Sequence, residues 1–105
     1  MGLDGHTASW FPYSQGLIAA LDAGNPATLA AIDASGCEVA GAHTDRITLT
    51  YSAVAASRNV VLILPSAEKL AVFEAASKKD VLEAPVKALR SLGDRLTVYA
   101  LEDPR

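Results

Sequence analysis

Val60-Val61-Leu62-Ile63-Leu64-Pro65-Ser66 is the stretch on which the fold turns. An unbroken apolar run of branched side chains is the pattern of a strand buried on both faces of a parallel sheet. Pro65 closes the run by removing a backbone donor. Ser66 can cap a following helix, in which Leu70 and Phe73 fall on one inward face. Further on, residues 84–92 form a second helical segment with Pro85 in its first turn, and residues 96–101 read as a last strand. In the other direction, residues 51–57 suit a short helix. Residues 46–50 alternate cleanly, with Ile47 and Leu49 on one side and Arg46, Thr48 and Thr50 on the other. Residues 28–32 fit a helix by their alanines and a strand by their length. Leu17, Ile18 and Leu21 share a helical face that Gly24 and Pro26 bring to an end. Strands spaced by helices imply an α/β fold with an open, largely parallel, Rossmann-like sheet, because parallel neighbours need long crossovers.

Composition bounds the function classes. The 105 residues allow one small domain, and half of them are apolar, which supports a core rather than a disordered tail. The net charge of -3 comes from mixed signs spread along the chain. This excludes the concentrated basic face that neutralises nucleic-acid phosphates, yet a small anion needs only one or two placed cations. Cys37 is alone, so it can form neither an internal disulfide nor a sulfur-rich zinc site, and a reducing cytoplasm is the simplest compartment. Residues 1–6 lack the basic and apolar regions of a secretion signal, and His6 stands where a myristoylation signal needs Ser or Thr. The run 60–64 is far too short to cross a bilayer. A soluble cytoplasmic protein with no membrane or nucleic-acid partner is expected. His6 and His43 lack ligand spacing, so no metal or other cofactor is implied.

The chemistry concentrates in residues 1–14, where Gly2, Gly5, Pro12 and several hydroxyl residues favour a structured loop. Histidine, with an ordinary pKa of ~6.5, suits a reaction in which one group first accepts and then donates a proton. Asp4, two residues before His6, is placed to orient the imidazole or stabilise its protonated form. Gly5 permits tight or left-handed backbone beside it. Taken alone, these residues also fit a histidine that merely bonds within a turn. Lys69 falls in the first turn of the helix begun by Ser66. A cation there opposes the helix dipole, but a bound anion would gather the free N–H groups and the ammonium. Arg46 shares a strand face with Thr48 and Thr50, which suits either a substrate contact or a solvated strand end. Trp10 and Phe11 are expected to anchor the loop in the core, and His43 to be solvated. Ser9 and Ser66 sit in no nucleophile elbow.

Met1-Gly2-Leu3-Asp4-Gly5-His6-Thr7-Ala8-Ser9-Trp10-Phe11-Pro12 resembles the Gly-Met-Gly-x-Asp-Gly-His-Thr-Ala-Ser-Leu-Phe-Pro signature of 6-phosphogluconolactonases. The similarity continues through Arg46-Ile47-Thr48-Leu49-Thr50, Ser66-Ala67-Glu68-Lys69 and Pro85-Val86-Lys87-Ala88-Leu89. It implies hydrolysis of 6-phosphogluconolactone in the oxidative pentose phosphate pathway, with His6 activating water and Lys69 contacting the substrate phosphate; Asp4 as the partner of His6, and Gly5 and Arg46 toward substrate, are read from the residues themselves. The related glucosamine-6-phosphate isomerases share Asp-Gly-His but continue Ile-Ala-Phe-Asn-Glu-Pro, so Thr7 to Pro12 favour the lactonase. The resemblance also implies that residues 1–105 are the carboxyl-terminal part of the domain. The amino-terminal half, with its Asp-Glu-Arg segment, is not in this sequence. A complementary half, self-association, or a non-catalytic half-domain are the expectations that follow.

Overall fold

In the computed structural model, which describes residues 1–101, an opening loop leads into α1 (Leu17–Leu21), β1 (Leu29–Asp33), a 3₁₀ turn (Glu38–Ala40) and β2 (Asp45–Leu49). Then follow α2 (Tyr51–Ala55), β3 (Val60–Leu64), α3 (Ala67–Ala76), a 3₁₀ segment (Pro85–Arg95) and β4 (Leu96–Ala100). Hydroxyls mark the two places where a strand hands over to a helix. Thr50 Oγ1 accepts the Ala53 N–H at 3.2 Å and starts α2, and Ser66 Oγ accepts the Lys69 N–H at 3.1 Å and starts α3.

The α/β architecture is observed, with one parallel and one antiparallel strand pair. β3 and β4 run parallel, from Val60 opposite Leu96 to Leu64 opposite Ala100, and α3 and the 3₁₀ segment form the crossover between them. β1 and β2 pair antiparallel, from Leu29 opposite Leu49 to Asp33 opposite Asp45, because the short link between them needs no crossover. The ambiguous residues 28–32 thus resolve as a strand. Residues 84–92 wind as 3₁₀ rather than α, with the Lys87 N–H on the Ala84 carbonyl, and Gly93 breaks the segment at φ 59 and ψ -128.

One core joins these elements, with Trp10, Phe11, Leu17, Ile32, Leu64 and Val86 among its buried members. β2 alternates as expected, and its inward side is the hydroxyl-bearing one: Ile47 is 74% exposed and Thr48 only 3%. The reason is that backbone groups of the opening loop and of the link before β1 need partners on the inner side of β2. Thr48 Oγ1 accepts the Ser9 N–H at 3.2 Å, and the Thr50 hydroxyl donates to the Ala27 carbonyl at 2.7 Å. β3 is covered on one face, not two. Leu62 and Leu64 are buried, whereas Val61 and Ile63 are exposed beside Tyr99. Among the described residues, α3 and the 3₁₀ segment pack only on the Leu62 and Leu64 side. Ile18 likewise faces solvent while Leu17 is buried.

Candidate active site

Residues 2–6 close into a compact loop by their own backbone. The Gly2 N–H donates to the His6 carbonyl at 2.8 Å and the Gly5 N–H to the Gly2 carbonyl at 3.0 Å. Gly5 holds φ 86, a left-handed conformation that side chains disfavour, and its carbonyl accepts the Val86 N–H at 2.9 Å. A Cβ built there would stand 3.2 Å from Ala84. The 3₁₀ segment is therefore the floor on which the loop rests.

Within this loop, Asp4 Oδ1 accepts the His6 backbone N–H at 3.1 Å and meets His6 Nδ1 at 2.5 Å. A carboxylate only accepts, so Nδ1 carries the shared hydrogen and the lone pair of the neutral ring lies on Nε2. The two side chains are 19% and 23% exposed, enough for a small molecule to reach them. The imidazole stacks on Phe11, with ring centroids 4.4 Å apart and planes 24° from parallel. Phe11 and Trp10 are buried as expected, and the Trp10 indole N–H donates to the Leu49 carbonyl at 2.8 Å, fixing the loop to β2. Tyr13 is exposed and lies outside this packing.

Lys69 is half-buried in the first turn of α3. Burial depresses the pKa of the Met1 amino group, the charge of Lys69 lowers it further, and Asp4 opposes the shift. The amino group thus senses both side chains. Arg46 is placed differently. Its Nε donates to the His43 carbonyl at 2.5 Å and Nη2 to the Ala40 carbonyl at 3.1 Å, while the guanidinium carbon stands 5.2 Å from the Phe11 centroid. The structure therefore brings His6, Asp4 and Gly5 into direct association and joins Arg46 to them through Phe11, while Lys69 makes no direct bond to them. His43 is exposed and separate, and among the described residues no group of three His, Cys, Asp or Glu side chains gathers as metal ligands do. The sequence reading missed the roles of Gly2 and Phe11. A Cβ at Gly2 would overlap the His6 ring at Cε1 and Nδ1 and come 2.8 Å from Asp4 Oδ1. Spacing alone carries no signal for either contact.

An α/β domain that presents a hydrogen-bonded Asp–His pair on a glycine loop has the arrangement of a proton-transfer site. The chain belongs to the family described as glucosamine-6-phosphate isomerases/6-phosphogluconolactonase, whose pattern it matches over residues 1–98. It is 42% identical over 101 residues to the 6-phosphogluconolactonase of Xylella fastidiosa (strain Temecula1) and 36% identical over 101 residues to that of Rhizobium meliloti (strain 1021). Each alignment covers 94% of this chain and 41% of the relative. The crystal structure of a 6-phosphogluconolactonase from Shewanella baltica OS155 superposes with a TM-score of 0.79 at 36% identity, over 98% of this chain and 42% of that one. The chain thus spans less than half the length of the relatives it matches.

Proposed function

We propose that this chain carries the proton-transfer part of a 6-phosphogluconolactonase, acting in the cytoplasm on the lactone of a sugar phosphate and yielding 6-phosphogluconate for the oxidative pentose phosphate pathway. The observation that carries the reading is the Asp4–His6 pair, which leaves Nε2 as the basic atom. Nε2 takes a proton from water as the water oxygen attacks the lactone carbonyl carbon. The tetrahedral intermediate then collapses, the bond from carbonyl carbon to ring oxygen breaks, and the imidazolium returns the proton to the departing oxygen. Asp4 stabilises the imidazolium between the two steps, and Gly5 supplies the turn that keeps both side chains together. Lys69 binds the phosphate at the start of α3. Arg46, with two nitrogens committed to backbone carbonyls, adds fixed positive charge to the site.

The exposed face formed by Val61, Ile63 and Tyr99 supports a second element of the proposal: the chain works with a complementary amino-terminal segment that covers this face. A lactone anchored by one lysine swings freely, and misplacement by about an ångström costs ~10²-fold in rate. Hydrolysis of freshly generated 6-phosphogluconolactone, followed against the spontaneous background with sedimentation alongside, tests both elements. The chain alone is expected to be nearly inactive and to self-associate. Adding the complementary segment restores turnover, and Lys69→Ala then raises KM. A stable monomer turning over lactone at enzymatic rates would overturn the need for the second segment. An inactive but fully assembled pair would overturn the lactonase reading.

A further inference from the structure

We propose that Phe11 is a positioning residue that sets the plane of the His6 imidazole, with Arg46 bracing the phenyl ring. This rests on the reading of His6 as the proton-transfer group. The hydrogen bond from Nδ1 to Asp4 fixes one atom of the imidazole but leaves the ring free to swing about that contact. A second restraint is needed to aim Nε2, and the stack at 4.4 Å and 24° supplies it. Phe11 is 1% exposed, so its own ring has nowhere to turn. Arg46 adds a cation–π contact at 5.2 Å to that ring and is itself held by the Ala40 and His43 carbonyls. Gly2 completes the arrangement, because any side chain there would collide with the imidazole. The result is a chain of restraints running from the loop after the 3₁₀ turn, through Arg46 and Phe11, to the reactive nitrogen.

His43 is the second of only two histidines and is exposed, so it serves as an internal control in NMR of the 105-residue chain. His6 ring protons are expected upfield of those of His43 through the ring current of Phe11, and its nitrogens are expected to report a single Nδ1–H tautomer. In Phe11→Leu, the ring protons move to the position of His43 and the tautomers mix. Trp10, the only tryptophan, reports by fluorescence whether the variant stays folded. Wherever turnover is obtained, Phe11→Leu lowers kcat by about 10²-fold with KM little changed, the pattern of a misaimed group. Arg46→Gln gives a milder version of the same changes and is read instead if Phe11→Leu unfolds. Coincident His6 and His43 ring protons in the unsubstituted chain, or a folded Phe11→Leu with an unmoved His6 spectrum, would overturn the proposal. The spectra need no lactone, so absent hydrolysis would count against the function proposed above and not against this arrangement.

Discussion

Replacing Trp10 tests how the site loop is fastened to the fold. The indole is 1% exposed and its N–H donates to the Leu49 carbonyl at 2.8 Å, so Trp10 joins residues 1–14 to β2 by packing and by a bond. Trp10→Phe removes the bond, worth about 1 kcal/mol, and about 40 Å² of apolar contact, worth roughly 1 kcal/mol at ~25 cal/mol per Å². The expected loss is about 2 kcal/mol. Trp10→Ala opens a cavity costing about 3–5 kcal/mol and loses the same bond, about 4–6 kcal/mol in all. Against a total stability on the order of 5–15 kcal/mol, the first variant should fold and the second should be close to unfolding. Urea titration followed by far-UV circular dichroism measures both. In the unsubstituted chain the dichroism and Trp10 fluorescence transitions should coincide, which licenses a two-state treatment. A Trp10→Phe midpoint within experimental scatter of the parent would mean that the indole neither packs nor bonds in this way.

Thr48→Val should cost about 1–2 kcal/mol in the same titration, because it leaves the Ser9 N–H without its acceptor, whereas Thr48→Ser should stay near the parent. Gly5→Ala forces a side chain into φ 86 and against Ala84, so a loss of about 1–3 kcal/mol is expected, with exposed Gly24→Ala as the comparison. Burial pushes the Cys37 thiol pKa up, and Asp4 and Asp33 push it further. A raised pKa means less thiolate at a given pH, so Cys37 should react with Ellman's reagent at pH ~8 more slowly than an unperturbed thiol of pKa ~8.5, and Asp33→Asn should speed the reaction.

Much of the fold was legible because it follows local rules. The apolar run at 60–64, closed by Pro65 and capped by Ser66, is β3 leading into α3. The alternation at 46–50 is β2, yet which side faces inward was not legible. Alternation fixes that two faces differ, and the usual assumption buries the apolar one. Here Thr48 goes inward to satisfy the opening loop's Ser9 N–H and Thr50 to donate to the Ala27 carbonyl before β1, long-range demands that no local window contains. Val61 and Ile63 misled for a related reason: a run suited to burial on both faces says nothing about which covering segments belong to the same chain. At the site, Asp4 and His6 were legible from their spacing and from the resemblance of residues 1–12. Phe11 under the imidazole and Gly2 beside it were not, since ring stacking and close approach depend on how the loop folds back. For Arg46, strand parity beside Thr48 and Thr50 suited a substrate contact and a solvated strand end equally. Its partners, the Ala40 and His43 carbonyls, come from a link whose path the sequence does not specify.

In the proposed mechanism, Nε2 of His6, with Nδ1 held by Asp4, moves the proton in lactone hydrolysis. The most direct measurement is kcat for 6-phosphogluconolactone above the spontaneous rate, in the chain assembled with its complementary segment, for the parent and for His6→Ala. His6→Ala is expected to lower kcat by ~10²–10⁴-fold while the circular dichroism spectrum is unchanged. Full turnover in a folded His6→Ala assembly would contradict it.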